Sequence, residues 1–264
     1  MAAQIREYER VPSVERALAL LERTTVATAP LIPRPRVPEG AFPAVPALVD
    51  LQDLPWRYVR VDGPLLRIGA ATPLQDLVES TAVRAMAGGI LSTAAELAAP
   101  QSRRTLATLA GTVEGAAEGP PEVLLALLAL GARGRVQGGE EETRELALSE
   151  YRPSARLLLA EVLLDLSTAP RAGLARVART PLDQAIVAAV AVAAGQTVRV
   201  AVAGASVAPI LAEETGGDRQ TALARLVEQV VAQVDPVGDY RGSAAYRRAM
   251  AGVLARRALA AAVQ

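Results

Sequence analysis

Apolar residues recur at helical and strand spacings along this chain. Val14, Leu18 and Leu21 lie three or four residues apart and Ser13 precedes them as a candidate cap, which predicts a helix over residues 14–23. Runs of Val and Ala on either side of Gly195 predict a β-hairpin of residues 185–194 and 198–207. Strands are also predicted over residues 46–51 and 132–136, and over residues 5–10, where Ile5 and Tyr8 are the only large apolar residues.

Further helices are predicted where apolar residues cover one face or every face. Residues 121–130 are apolar on nearly every side, which indicates a buried helix. Thr72 is the predicted cap of a helix over residues 74–78, and residues 83–99 predict another helix. Pro209 and Glu213 are predicted to mark a turn into a helix that contains residues 221–234.

The C-terminal segment predicts a helix with two different faces. Ser243 is its predicted cap, and the apolar face carries Met250, Val253, Leu254 and Leu259. The predicted outer face carries Arg247, Arg248, Arg256 and Arg257. Such a face is either a solvated surface or a partner surface on which Arg side chains anchor carboxylates.

Residues 100–130 carry the strongest candidate for ligand chemistry. Small residues at Ala110 and Gly111 allow a close approach of backbone N–H groups to a phosphate, and Thr105, Thr108 and Thr112 add hydroxyl donors. The segment lacks the Gly-Lys-Ser/Thr ending of a Walker loop, and it lacks the GxGxxG dinucleotide fingerprint. It therefore predicts a phosphate-binding turn of another kind.

Two other segments offer weaker functional interpretations. The linker of residues 33–46 contains five prolines and predicts a stiff surface segment, with a Pro-x-x-Pro ligand for a partner as the alternative. Glu140, Glu141 and Glu142 are consecutive, so their carboxylates point apart, and a solvated loop is favoured over a metal site.

Composition removes several kinds of chemistry. The chain has 264 residues, a net charge of zero and 28 basic residues, all of them Arg. It contains no Lys, Asn, His or Cys, which excludes thiolate and imidazole catalysis, Schiff-base chemistry and the usual zinc or iron–sulfur ligands. The neutral charge gives no indication of nucleic-acid binding. No apolar run is long enough to span a bilayer, and the first ten residues lack the apolar region of a signal peptide, so we expect a cytoplasmic protein without a membrane span.

Several motifs in order along the chain resemble one family. Gln101-Ser102-Arg103-Arg104 stands where the family has Q-I-R-N, and residues 108–112 stand where it has T-x-G-G-N. Residues 46–51 match P-x-x-L-V-D-L, residues 65–71 match L-x-I-G-A, and residues 239–248 are similar to D-x-R-A-S-x-x-Y-R-R. On these residues the chain resembles the FAD-binding medium subunit of molybdenum hydroxylases, the xanthine dehydrogenase and aerobic carbon monoxide dehydrogenase group.

The resemblance implies an α+β fold in two domains. Residues 1–168 would form a two-lobed FAD-binding domain of the vanillyl-alcohol-oxidase-like (PCMH) type, with lobes over about residues 1–55 and about 56–168. Residues 146–151 and 157–166 would be the strand pair that closes this domain, and a flexible loop would follow. Residues 169–264 would form a C-terminal domain of the carbon monoxide dehydrogenase flavoprotein type, with helices and a three-stranded antiparallel sheet.

The same resemblance implies a function and a cofactor. The chain would be an oxidoreductase subunit that passes electrons from the iron–sulfur clusters of a small subunit through FAD to an acceptor, in a complex with a molybdenum-containing large subunit. The implied flavin-lining residues are Thr28, Ala29, Thr105, Thr108, Leu109, Ala110, Gly111, Thr112 and Glu122. None of them would transfer protons, since the protein positions and tunes the cofactor.

An alternative function follows from departures from the family pattern. The family's A-G-G-T loop is replaced by Ala27-Thr28-Ala29-Pro30, which has no glycine and one residue without an N–H. Thr112 replaces the Asn of T-x-G-G-N. Arg179 and Asp183 retain the last two letters of K-x-x-x-R-x-x-x-D, and its Lys is missing. These departures favour a flavin-free paralogue with a structural or assembly role.

Overall fold

A small parallel sheet begins the chain. The computed structural model describes residues 5–36, 45–117, 119–138, 141–154, 156–181 and 183–264, and for residues 141 and 142 it describes the backbone only. Strand β1 (Glu7–Arg10), helix α1 (Val14–Glu22), strand β2 (Thr28–Leu31) and strand β3 (Ala47–Asp50) form this unit, with the strand order β1-β3-β2. Ser13 caps α1 by accepting a hydrogen bond from the Arg16 N–H. The helix and both strands predicted here are confirmed.

A second sheet has five antiparallel strands in the order β4-β5-β8-β6-β7. Its central strand is buried along nearly its whole length, as its run of apolar residues requires. Short helices between β5 and β6 pack on the sheet and contribute to the largest apolar core. The strands are β4 (Val59–Asp62), β5 (Leu65–Gly69), β6 (Arg133–Gly138), β7 (Glu141–Ala147) and β8 (Leu158–Asp165). The helices are α2 (Leu74–Glu79), α3 (Thr81–Ala85), α4 (Ile90–Ala98), α5 (Gln101–Arg104), α6 (Leu109–Glu114) and α7 (Glu122–Ala129).

The third sheet contains four antiparallel strands, so the expectation of a three-stranded sheet is wrong. Its order is β12-β11-β10-β9, with β9 (Arg171–Val177), β10 (Val187–Ala194), β11 (Thr197–Ala203) and β12 (Ile210–Thr215). The predicted hairpin is confirmed as β10 and β11. The segment expected to be a flexible loop instead supplies β9, which pairs antiparallel with β10. Gly173 on β9 lets the last helix approach closely, since a Cβ there would lie 2.2 Å from the Ala258 carbonyl oxygen. Helices α8 (Arg219–Ala232) and α9 (Ala244–Val263) pack on this sheet.

Several predicted boundaries are wrong for identifiable reasons. Residues 210–215 form β12 rather than a turn, since alternate side chains are buried and Glu213 pairs with Arg199 on β11. The helix predicted over residues 83–99 is broken by Ala87, Gly88 and Gly89, which all have positive φ. The predicted strand of residues 146–151 ends at Ala147, where a turn begins.

Thr72 does not cap α2, contrary to prediction. The N-cap residue is Pro73, which makes no side-chain cap hydrogen bond. The buried Thr72 hydroxyl instead donates to the Tyr58 carbonyl at 2.9 Å and accepts from the Tyr58 N–H at 3.1 Å. The side chain therefore fastens two backbone segments together, a role that its position before an apolar run does not reveal.

Arg247 was predicted on the outer face of the last helix, and this prediction is wrong. Its side chain is only 5% exposed and donates to the carbonyls of Ile186 at 2.6 Å and Gly204 at 3.0 Å, and to Asp239 at 2.7 Å. Burial would raise the pKa of Asp239, but hydrogen bonds from Arg247 and Arg241 hold it below its ordinary value. Arg248, Arg256 and Arg257 are exposed as predicted.

The buried position of Arg247 predicts a large stability difference between two adjacent residues. Arg247→Met removes the side-chain donor to two buried carbonyls and one of the donors to Asp239, and it is expected to lower the free energy of unfolding by about 2–4 kcal/mol. Arg248→Met, one residue away on the exposed side of α9, is expected to change it by less than about 0.5 kcal/mol. Denaturant unfolding measures both. Equal effects would contradict the structural role assigned to Arg247.

Candidate cofactor-binding cleft

A cleft with a volume of 160 Å³ lies between the small parallel sheet and the five-stranded sheet. One wall is the segment that follows β2, here called the strap (residues 32–34), and another is the N-terminal part of α6. Trp56, Leu158 and Leu159 form much of the apolar floor, with Gln52, Arg57 and Glu114 among the polar residues. Of the predicted site residues, Thr105, Thr108 and Ala110 line this cleft.

The turn of residues 108–112 begins α6, and Thr108 is the cap of that helix. Its hydroxyl oxygen accepts a hydrogen bond from the Gly111 N–H at 3.1 Å. The other backbone N–H groups of the turn also have acceptors within the chain. Each donates to a backbone carbonyl: the Thr108 N–H to Pro33 at 3.0 Å, Leu109 to Thr72 at 2.9 Å, Ala110 to Ala70 at 2.9 Å and Thr112 to Thr108 at 3.0 Å.

The hydroxyl groups predicted to bind phosphate are likewise occupied. Thr105 donates to the Ser102 carbonyl at 3.0 Å, Thr108 to the Pro33 carbonyl at 3.2 Å and Thr112 to the Thr108 carbonyl at 2.9 Å. A phosphate at this helix end would have to displace one of these bonds. The turn is thus saturated with internal hydrogen bonds in the conformation that the structure describes.

Gly111 permits the close packing of the strap on the turn. A Cβ built at this position would lie 1.9 Å from the Pro33 carbonyl oxygen, a distance that no side chain tolerates. Only glycine therefore allows the Pro33 carbonyl to reach the Thr108 N–H and hydroxyl. The small residue that indicated ligand contact serves the packing of the chain on itself.

Thr28 and Ala29 do not form a loop in this structure. Both lie in β2, paired with Ala47 and Leu48 of β3. The Thr28 hydroxyl donates to the Val26 carbonyl and accepts from Arg23, each at 2.9 Å. Neither residue lines the cleft, so β2 stands where the family pattern has a glycine loop.

Glu122, another predicted lining residue, is fully buried at the start of α7 and away from the cleft. Its carboxylate lies 3.0 Å from the Nε atom of Arg176 on β9, in an ion pair without good hydrogen-bond geometry. Burial raises the pKa of Glu122, and the charge of Arg176 partly offsets this. The pair links the C-terminal sheet to the rest of the molecule.

The sequence analysis did not identify Glu114 as a cleft residue or Tyr151 as its partner. Glu114, near the end of α6, lines the cleft, and the buried Tyr151 donates to its Oε1 atom at 2.9 Å. Burial raises the pKa of Glu114 to about 7, while the Tyr151 hydrogen bond and the charge of Arg34 act in the opposite direction. The only sign of Glu114 in the sequence is that it is a single acidic residue within a run of small residues. No spacing rule connects it to Tyr151.

Glu114 gives a pH dependence of stability with a defined sign. Because its pKa rises from 4.5 to about 7 on folding, the folded chain retains a proton that the unfolded chain releases in this window. The contribution of this carboxyl to the free energy of unfolding is therefore present at low pH and is lost as pH rises through this range. Glu114→Gln should flatten that decrease in denaturant titrations, whereas the exposed control Glu96→Gln should not. An unchanged pH profile in Glu114→Gln would contradict the assignment.

Gly111→Ala tests the packing of the strap. We expect a loss of about 1–3 kcal/mol in the free energy of unfolding and faster tryptic cleavage after Arg36, because the strap must move away from α6. Gly134→Ala is the control, since its Cβ would meet only side-chain ends, at 3.1 and 3.4 Å. Wild-type cleavage rates in Gly111→Ala would show that the strap does not depend on this contact.

Among the described residues, no helix is long and apolar enough to cross a membrane, and no group of three acidic side chains is placed to hold a metal ion.

A search of curated protein sequences finds no match. Comparison with solved structures finds chains of nearly the same extent. A chain of the Cu,Mo-CO dehydrogenase in its cyanide-inactivated form is 27% identical over 99% of both chains, with a TM-score of 0.83.

Two further structures extend this similarity. A chain of the reconstituted CO dehydrogenase from Oligotropha carboxidovorans is 26% identical, covering 99% of this chain and 98% of that one, with a TM-score of 0.83. A chain of quinoline 2-oxidoreductase from Pseudomonas putida 86 is 18% identical, covering 100% and 99% with a TM-score of 0.79, and shows the shared fold.

A family model described as the FAD binding domain in molybdopterin dehydrogenase matches residues 4–165, more than half of the chain. This match and the CO dehydrogenase structures together support FAD as the cofactor. The chain belongs to the family of FAD-binding domains of molybdopterin dehydrogenases.

Proposed function

We propose that this chain is the flavoprotein (medium) subunit of a molybdenum hydroxylase-type oxidoreductase. The observation that carries the proposal is the end-to-end similarity to a CO dehydrogenase chain, at 27% identity and with 99% of each chain covered. In this role the chain receives electrons from the iron–sulfur clusters of a small subunit and passes them through FAD to an acceptor. A molybdenum-containing large subunit oxidises the substrate, and the complex is cytoplasmic.

The proposed domain division follows the three sheets. An FAD-binding domain of the PCMH type over residues 1–168 comprises a first lobe around the parallel sheet and a second lobe around the five-stranded sheet. The C-terminal domain over residues 169–264 comprises the four-stranded sheet with α8 and α9. The family match, which ends at residue 165, supports this division.

The residues of the cleft fit FAD in part. The apolar floor at Trp56, Leu158 and Leu159 suits the face of an aromatic ring and excludes water from it. The donors predicted to bind phosphate do not fit as they stand, because the N–H and hydroxyl groups of residues 108–112 are bonded within the chain. FAD supplies the redox chemistry when bound, and the contribution of this chain is to hold and enclose its ring system.

The saturated turn also favours a second candidate function. Without free donors and without a glycine loop at residues 27–30, the chain would act as a flavin-free structural or assembly subunit of such a complex. Each missing hydrogen bond lowers affinity by about fivefold to tenfold, so several together weaken binding strongly. The two candidates share partners and fold and differ in the cofactor.

FAD titration of the purified chain separates them. We expect near-ultraviolet and blue flavin absorption bands in the purified protein, or saturable binding of added FAD that raises the unfolding temperature. Ala71→Leu places a larger side chain at the cleft lining and should weaken FAD binding by about tenfold or more, whereas the exposed control Ala245→Leu should not.

One result would contradict the flavoprotein proposal, and another would contradict the assignment of its site. A colourless protein that neither binds FAD nor gains stability from it would leave the structural candidate. FAD binding that is indifferent to Ala71→Leu would move the binding site away from this cleft. Copurification with an iron–sulfur and a molybdenum subunit is expected for both candidates and tests the proposed complex itself.

A further inference from the structure

Glu114 occupies an unusual position for a carboxyl group. It lies among apolar residues at the cleft, with Ile32 and Leu159 in the same lining. Its Oε1 atom accepts the Tyr151 hydrogen bond, and its Oε2 atom has no hydrogen-bond partner among the described residues. Glu114 is half-buried, and a carboxylate oxygen that has no partner within the chain and belongs to a residue lining a cleft is a candidate for ligand contact.

No nearby cation forms an ion pair with the Glu114 carboxylate among the described residues. Arg34 lies close enough to favour the ionised form, but it forms no ion pair with Glu114 among the described residues. Arg57, the other cation of the cleft lining, is bonded to Asp76 at 3.0 and 3.3 Å. Tyr151 is the remaining titratable group in contact with Glu114, and burial raises the pKa of its hydroxyl. The free carboxylate oxygen is therefore available to a ligand.

The size and walls of the cleft restrict that ligand. Its volume of 160 Å³ is close to the roughly 150 Å³ of an engineered apolar cavity that binds benzene. One aromatic ring, or the edge of a fused ring system, therefore fits between Ile32, Trp56 and Leu159. A phosphate does not suit the same place, because an ionised carboxylate repels it.

We propose that Glu114 is the polar anchor of this cleft and accepts a hydrogen bond from a ring N–H or amino group of a nitrogen heteroaromatic ring. The hydrogen bond from the Tyr151 hydroxyl to Oε1 holds the carboxyl group in position. The inference rests on the proposed function in one respect, that the cleft binds a ligand, and it adds which chemical group of the ligand is recognised. Both ring systems of FAD carry such a donor, the amino group of adenine and the imide N–H of the isoalloxazine.

Two matched pairs of probes test the proposal and distinguish these sources. Adenosine and purine riboside differ only in the amino group, and riboflavin and 3-methylriboflavin differ only in the capacity of N3 to donate. Calorimetric titration of the full chain at about pH 8, where Glu114 is ionised, should show that one donor-bearing probe binds about tenfold or more tightly than its partner. The pair that shows the difference identifies the ring.

Variants assign the difference to the carboxyl group. Glu114→Met should abolish the discrimination within the pair, and the Tyr151 hydroxyl retains the Leu157 carbonyl as an acceptor at 3.2 Å, which helps the variant to fold. Glu114→Gln keeps an acceptor oxygen and should retain discrimination while losing its increase between about pH 6 and pH 8. Glu96→Gln, an exposed carboxyl on α4, is the control for the change of charge.

Each remaining outcome overturns the inference. Equal binding of both members of each pair, or discrimination that persists in Glu114→Met, would show that Glu114 is not the anchor. If FAD binds and none of the four probes binds, the proposed role of Glu114 is overturned and the flavoprotein proposal stands. No binding of FAD or of any probe would overturn both.

Discussion

The hydrogen bonds of the Pro33 carbonyl oxygen to the Thr108 N–H and hydroxyl hold the site together. They fix the strap on the N-terminus of α6, at the place where a helix favours a negative group. The contact requires glycine at position 111, because any side chain there would overlap the carbonyl. The chain thus supplies its own oxygen to a helix end that would otherwise attract an anion, and the cleft beside it remains apolar.

One buried ion pair connects the C-terminal sheet to the rest of the molecule, and one buried Arg holds the last helix on that sheet. Glu122 on α7 and Arg176 on β9 pair across the junction, and Arg247 binds two carbonyls that flank the hairpin. Such groups stabilise weakly as pairs, but the loss of one partner is costly, so they enforce one arrangement of the elements.

Local pattern and family resemblance together predicted much of the fold. The hairpin of β10 and β11 and the buried helix α7 follow from apolar runs with turn residues at their ends. The motifs at residues 101–112 and 239–248 indicated the family that the model match shows. These features depend on neighbours in sequence, and for that reason a sequence pattern contains them.

The details that failed depend on contacts between distant residues. Arg247 has the sequence context of a solvated helix face, and only the carbonyls of Ile186 and Gly204 explain its burial. Thr72 has the sequence position of a helix cap, but its hydroxyl is hydrogen-bonded to the backbone of Tyr58. The donors of residues 108–112 suggested a phosphate site because the acceptors of the Thr108, Leu109 and Ala110 N–H groups, on the strap and after β5, lie far away in sequence. Which of the predicted flavin-lining residues touch FAD stays a prediction.

Amide hydrogen exchange at residues 108–112 tests the central claim most directly. If these N–H groups are bonded within the chain, they are protected in the ligand-free protein, and saturating FAD changes their protection little. Rapid exchange in the ligand-free protein, with protection appearing only when FAD is added, would contradict the account. It would show that these N–H groups donate to the cofactor.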